Sequence, residues 1–530
     1  MTRPRGWAAE ARDVALLGGV LFAVTLVPYL VAHLNAPPGK VFNGFFYIAD
    51  DAATYVAKMR QGADGAWGWS DPYISSPVAR PVGLFLFYIL WGKVAALLHV
   101  SLLVGYHLAR LSGALALVAA ARMGAREWLP EGRVRPVGVA LALLGSGFGY
   151  LVTALHQPAG LEALDLHLPE LSGFYSILAI PHFAWAAALV VLALVALTRL
   201  AHSTGAPDAG RAGAAAAVAL VLLTLIHPQM VFVLAALAGV QLLLERPAVE
   251  RWALTALAFV PALPLLYYNY RLLIDDPVIR QWSEQWKHQA PGFASLLVAL
   301  GLPLALTVVA VIARRWRGDR GAQLMVAWLV VVLALVYLPN PVNIQRRLLD
   351  GIYVPVAFLA ALGVDALAGT SKRRWRRLVA GTLAVASLSS LVVWGIGLEW
   401  GASRAEPQVY VDAGVWRAIA WLGQQPRAGA APAVLSAPDT GLLIPPYAGD
   451  RVYVGHYSET LSYATRVDLA EAALRGNTQT LWNFMMQEDV TYLFYGPTER
   501  ALGAVRPRSD LFETVYDRDG VTIYRVAALA

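Results

Sequence analysis

Apolar runs of about twenty residues recur along the first three quarters of the chain, and nothing else restricts its fold as much. The first, Val14 to Val31, follows Arg3, Arg5 and Arg12. Others fall near 103–121, 136–155, 183–200, 213–227, 229–244, 252–270, 293–313, 322–338, 351–369 and 378–397. Each is close to the length a helix needs to cross a bilayer core, so the chain reads as a mostly α-helical polytopic membrane protein. Composition agrees: 58% of the 530 residues are hydrophobic, only 15% are charged, and the mean hydropathy is +0.54. Soluble chains carry about 25% charged residues, which excludes an ordinary cytoplasmic enzyme. The absence of cysteine excludes disulfides, iron–sulfur clusters and cysteine–zinc sites. The net charge of +7 is gathered in short segments between apolar runs, a topological signature and not a nucleic-acid-binding one. No small-x-small cleavage site follows the first run, so it reads as an uncleaved span starting in the cytoplasm.

A further run, 82–100, sets the parity of the spans. Suppose it lies at the outer surface or re-enters. Then Arg122, Arg126, Arg133 and Arg135, the cluster Arg314, Arg315, Arg317 and Arg320, and Lys372 to Arg377 all fall on the cytoplasmic side. If it crosses, all of them flip outside. About eleven spans therefore fit the positive-inside bias better than twelve. Lys93 in the middle of this run agrees, because an ammonium at bilayer depth is costly.

An odd number of spans places the chain after Val393 outside, and there the sequence changes character. Short β-rich runs (Ala433–Ser436, Arg451–Val454, Thr491–Tyr495) alternate with helical stretches at Gly414–Gln424 and Thr480–Glu488. Phe512–Tyr516 and Val521–Val526 flank Asp517-Arg518-Asp519-Gly520, a hairpin turn signal. The expected organisation is a transmembrane domain over 1–398, with a first outer loop at about 35–100, and an extracytoplasmic α/β domain over 399–530.

The spans carry almost no ionisable residue at mid-depth, where transport and proton relays need them, and no internal repeat is evident. The polar residues gather in the outer loops. The first begins Tyr47-Ile48-Ala49-Asp50-Asp51 and runs through Tyr55, Lys58, Arg60 and Gly62 to Trp67, Trp69 and Tyr73. Adjacent carboxylates directly after a span can take a proton from an acceptor hydroxyl or bind a divalent cation. The plainer alternative is that one of them N-caps a short helix, but that employs only one of the two. Lys58 and Arg60 suit a phosphate, or equally a solvated helix face. Trp67, Trp69 and Tyr73 suit a sugar, or an interfacial aromatic belt. Arg346 and Arg347 stand on an outer loop against the positive-inside trend, where guanidinium groups can hold a phosphate or anchor to lipid head groups. His182 opens a span after Pro181 and could add a phosphate contact, though span-end histidines are commonly structural. His227-Pro228 reads as the end of one helix and the start of the next. Glu162, Asp165 and Glu170, and Asp275-Asp276, are the remaining acidic groups of note.

The Asp pair, the Tyr behind it, the basic and Gly-x-Trp residues and the Pro72-Tyr73 step resemble the first outer loop of the GT-C fold. Pro81 to Leu111, with Tyr106-His107-Leu108-Ala109-Arg110-Leu111, is similar to the juxtamembrane helix and second span there. Asn343 to Gly351, with Tyr353-Val354-Pro355, resembles the late arginine segment of bacterial members. Val452 to Thr460 resembles a stretch in the outer domains of bacterial relatives. The resemblance implies an integral membrane glycosyltransferase of the bacterial inner membrane, with its active site and C-terminal domain extracytoplasmic. It would take a sugar from a polyprenyl-phosphate donor, with inversion, to a glycan, lipid or protein acceptor. It implies Asp50 as the catalytic carboxylate and Asp51 as second. In those members that use Mg²⁺ or Mn²⁺, Asp50 would also ligate the metal. Arg346, Arg347, His182, Lys58 and Arg60 would hold the donor phosphate, and Tyr55, Trp67, Tyr73, His456 and Glu459 would border the sugar and acceptor. Membrane lipids are partners and nucleic acid is not. The alternatives are a lipid or polymer transporter with an outer sensing domain, and an oligosaccharyltransferase or O-antigen-ligase-like enzyme using a diphosphate-linked glycan.

Overall fold

A computed structural model describes residues 7–75, 81–285, 287–339, 344–403, 409–427, 429–508 and 510–527. Arg3, Arg5 and Asn343 of the sequence reading lie outside these. The chain divides into two compact units. One comprises residues 1–27, 107–271 and 287–396; the other comprises 28–106, 272–286 and 397–530.

The first unit is built of apolar helices. Pro181–His202 has 83% of its apolar window buried, as a helix that is hydrophobic on every face must. Tyr353–Ala368 is buried almost throughout, and Gly363 lets it approach the backbone of Leu306 in helix Phe293–Ile312. A Cβ at Gly363 would lie 2.1 Å from the Leu306 carbonyl oxygen. Among the described residues, seven helices are long and apolar enough to cross a membrane. An eighth is added if Lys372–Ala386 and Leu388–Ser403, bent by 41°, form one span. Shorter apolar helices at Val134–Leu144, Met230–Glu245 and Tyr353–Ala368 coincide with three further runs of the sequence. The protein is a multi-pass membrane protein. His227-Pro228 does separate two helices, Ala206–Thr224 and Met230–Glu245.

The second unit joins the first loop to the C-terminal segment. Strands β1 (Lys40–Phe42) and β2 (Tyr410–Asp412) pair antiparallel across that gap in sequence. A five-stranded sheet follows: β3 (Ala433–Leu435), β4 (Arg451–Val452), β5 (Tyr492–Tyr495), β6 (Phe512–Arg518) and β7 (Val521–Val526), in the order β4-β3-β5-β7-β6. β3 runs parallel to β4 and β5, whereas β7 is antiparallel to β5 and β6. Side chains alternate between the faces: Val434, Phe494 and Ile523 join one buried cluster, and Leu435, Leu493 and Tyr524 the other. Asp519 and Gly520 both have positive φ, as a two-residue hairpin turn requires. The run 82–100 forms a helix only at Leu86–Leu97, whose twelve residues span about 18 Å, short of a bilayer core.

Candidate functional site

The loop helix Ala49–Ala63 carries both aspartates in its first turn. Its N-cap is Ile48, at φ 50° and ψ 48°, with no side-chain cap bond. A β-branched residue in the left-handed region is rare and strained, and here it sets where the helix begins. Neither aspartate is therefore the N-cap, contrary to the plainer alternative. The helix is fixed from behind: Gly62 and Gly92 bring it against Leu86–Leu97 at backbone distance, and Tyr55 stacks on Tyr88 at 4.3 Å.

Asp50 is exposed and Asp51 half-buried. Partial burial raises the Asp50 pKa above the usual carboxylate value; Asp51 and Asp439 add to the rise and His456 opposes it. Asp51 Oδ1 lies 3.2 Å from His456 Nε2, and that imidazole is fully buried. On the other edge of the ring, Nδ1 accepts N–H bonds from Ser458 and Glu459 at 3.3 Å each.

Two turns along the same helix, Lys58 is buried with its ammonium 2.7 Å from Glu459 Oε1 and 3.2 Å from Thr54 Oγ1. The Phe85 ring centroid is 4.3 Å from it. Trp282 Nε1 donates to the other Glu459 oxygen at 3.2 Å. Arg60 is half-buried, bonding Asp64 at 3.0 Å and the Tyr447 carbonyl at 3.4 Å. Trp67 is exposed under the Lys93 ammonium, whereas Trp69 is buried and bridges to Val82. Tyr73 is buried and donates its hydroxyl to the Leu442 carbonyl. Nearby, Asp71 is buried with only one carboxylate oxygen hydrogen-bonded, to the Tyr73 N–H. Burial, with Glu459 beside it, pushes the Asp71 pKa well above its usual value.

The structure thus gathers Asp50, Asp51, Tyr55, Lys58, Arg60, Trp67, Tyr73, His456 and Glu459 into one unit. Among the described residues, no three His, Asp or Glu side chains stand close enough to hold a metal ion.

The other unit holds Arg346, Arg347 and His182. Arg347 bonds the buried Glu170 at 3.0 Å, and Arg346 Nε is 3.9 Å from the same oxygen. His182 is buried, its ring 5.0 Å from that of His227, and His227 pairs closely with the buried Asp350. The His288 carbonyl accepts the Arg346 N–H, and burial together with the two guanidinium groups pulls the His288 pKa down, leaving it neutral. Sequence reasoning missed the Asp350 and His288 contributions, because their partners are far away in the chain. Two of the other acidic groups bond backbone N–H groups. Asp165 accepts the Gly147 and Gly149 N–H groups, and Asp276 caps helix Pro277–Gln285.

No protein-family model matches the chain, and no curated protein matches it in sequence. Solved structures do match. ArnT from Cupriavidus metallidurans in the apo state gives a TM-score of 0.55 at 13% identity, over 96% of this chain and 98% of that one. Its complex with undecaprenyl phosphate gives 0.54 at the same identity and coverage. The archaeal oligosaccharyltransferase AglB from Archaeoglobus fulgidus, in complex with an inhibitory peptide and a dolichol-phosphate, gives 0.52 at 12% identity, over 89% of this chain and 69% of that one. This chain has their GT-C fold, as its first loop led us to expect.

Proposed function

We propose that this GT-C-fold chain is a glycosyltransferase that moves a sugar from a polyprenyl-phosphate donor to an acceptor hydroxyl on the extracytoplasmic side of the bacterial inner membrane, with inversion. The observation that carries the reading is the open Asp50 carboxylate at the head of a rigidly held loop helix. In support, the fold is shared with proteins captured with undecaprenyl phosphate and with dolichol-phosphate.

Asp50 takes the acceptor proton as the acceptor oxygen attacks the anomeric carbon. Its raised pKa makes it a better base than an ordinary carboxylate. The bond from that carbon to the phosphate oxygen breaks, and its electron pair leaves with the phosphate. The paired guanidinium groups of Arg346 and Arg347 are the donors suited to that developing charge. Lys58, buried against Glu459, is better placed to stiffen the helix than to meet a donor. Protein, lipid and glycan acceptors are all compatible with this scheme.

Purified protein supplied with undecaprenyl-phosphate-linked sugars should release undecaprenyl phosphate only when an acceptor is present. Release without acceptor, or none across a panel of sugars and acceptors, sinks the proposal. The likeness to an oligosaccharyltransferase favours one second reading, transfer of a whole glycan from a diphosphate carrier. A polyprenyl diphosphate product in the same assay would establish it.

A further inference from the structure

In the first compact unit, three helices enclose a cavity of about 320 Å³. They are Trp7–Leu34, Leu102–Trp128 and Val134–Leu144. The first two pack closely at Gly18, where a Cβ would lie 3.2 Å from the Leu115 Cα. Leu17 and Leu21 wall the cavity from one helix, Val139 and Leu143 from another. Its charged lining residues are Arg122, Arg126 and Arg135, and no described carboxylate lines it. These arginines stand at one end of the helices. Arg126 belongs to the last turn of Leu102–Trp128, and Arg135 to the first turn of Val134–Leu144. Leu143 lies about 12 Å further along that helix than Arg135, against about 15 Å for half of a bilayer core. The cavity is therefore cationic at head-group depth and apolar at acyl-chain depth.

The three guanidinium groups are not equally satisfied. Arg126 pairs closely with Glu10. Arg122 Nη2 donates to Asp13 Oδ2 at 3.3 Å, but its Nε is buried without a hydrogen-bond partner. Arg135 donates to the carbonyls of Leu129 and Arg126 at 3.0 and 2.9 Å, closing the end of the preceding helix. The carboxylate facing Arg135, on Glu131, is 3.9 Å away and 91% exposed, so water screens it. The rim thus keeps a positive surplus, and Arg122 keeps a buried donor unspent. A phosphate oxygen satisfies both, because guanidinium–phosphate bonds are charge-assisted.

We propose that this cavity binds one anionic glycerophospholipid, its phosphate at the arginine rim and an acyl chain between Leu17, Leu21, Val139 and Leu143. Charge chooses the head group: a zwitterionic lipid brings its own ammonium and leaves the surplus uncancelled, whereas an anionic one cancels it. The apolar wall chooses a lipid over a free phosphate, which would leave that wall unused. The charge bias of the sequence predicts the cytoplasmic leaflet for this end of the helices. The bound lipid joins the first span to the two helices behind it, so it stabilises the fold. This site owes nothing to the transferase reading and stands or falls apart from it.

The test uses the full-length protein in detergent, titrated with phosphatidylglycerol, phosphatidylcholine or glycerol 3-phosphate and read by native mass spectrometry and thermal midpoint. The wild type should hold one phosphatidylglycerol about tenfold more tightly than phosphatidylcholine, with a raised midpoint. Glycerol 3-phosphate, which has the head group and no chain, should neither displace that lipid nor raise the midpoint. Arg122→Gln should weaken phosphatidylglycerol about tenfold and bring the two lipids level. Ala140→Trp, which puts bulk into the cavity and leaves the rim intact, should weaken both lipids. Equal affinity for the two lipids in the wild type overturns the proposal. So does displacement by glycerol 3-phosphate, which would mean a phosphate site without a chain pocket. Undecaprenyl phosphate binding more tightly than phosphatidylglycerol would assign the cavity to a different lipid and equally overturn it. Folded Arg122→Gln and Ala140→Trp proteins that both keep wild-type phosphatidylglycerol affinity would place the lipid elsewhere. The wild-type comparison decides the matter even where a variant fails to fold.

Discussion

Asp50 and Asp51 are neighbours in sequence and live in different surroundings. Asp50→Asn keeps the shape and removes the base, so transfer should fall by about 10²–10⁴-fold while folding is unchanged. Asp51→Asn should cost less, and wild-type turnover in Asp50→Asn would mean that the resemblance is one of fold alone. Replacing both Arg346 and Arg347 by Ala should slow turnover and raise the donor requirement, and Lys should restore little if the contact is bidentate. Unchanged kinetics would return the pair to a lipid anchor. Asp450 gives a pH signature of stability. Burial pushes its pKa up to about 6 in spite of Arg427 at 2.9 Å, so the folded state binds this proton more tightly than the unfolded one. Its contribution is full below the unfolded value and is lost as pH rises through about 6. Thermal midpoints of Asp450→Asn and wild type, followed from about pH 4 to pH 7, should therefore diverge in favour of the variant as pH rises. At this scale the sequence pointed to the Asp pair and to His456 and Glu459 but could not join them. Asp51 and His456 meet only after folding, and nothing local to either residue encodes the other.

Among the elements, the backbone-close contact of Ala49–Ala63 with Leu86–Leu97 governs how rigid the aspartates are. A Cβ on Gly92 would lie 1.9 Å from the Met59 carbonyl oxygen, so Gly92→Ala must push the helices apart. We expect a loss of about 1–3 kcal/mol in stability, with a fall in transfer rate, measured by thermal unfolding and by the release assay. A variant as stable and active as wild type would show that the two helices are not in tight register. Most elements of the C-terminal segment were legible: the β-rich runs became β3, β4 and β5, and Asp519-Gly520 turned the β6–β7 hairpin. Their signals are local, an alternation of side chains and a turn that needs positive φ. The start of the loop helix was not legible. Propensity favours an aspartate cap, whereas the structure strains Ile48 instead, a choice made by the packing behind the helix.

For the whole molecule, the apolar runs announced a membrane protein, and the loop residues announced its fold. The sidedness remains a prediction from charge. Reporter fusions after Arg126, Arg317 and Arg374 should report cytoplasm, and fusions at Asp64, Gln345 and Gly441 should report the outside. An outside signal at Arg126 would mean that the 82–100 run crosses, against the short helix seen there. The grouping of residues 28–106 with 397–530 was hidden from the sequence, because the ties between them are long-range. Lys58 and Glu459 are 401 residues apart. That distance gives the protein a clock. At about 5–20 residues per second, the ribosome needs on the order of 20–80 s to deliver Glu459 after Lys58 has been made. Throughout that interval the Lys58 ammonium lacks its Glu459 partner. On this view the last quarter of the polypeptide completes the surroundings of the first loop.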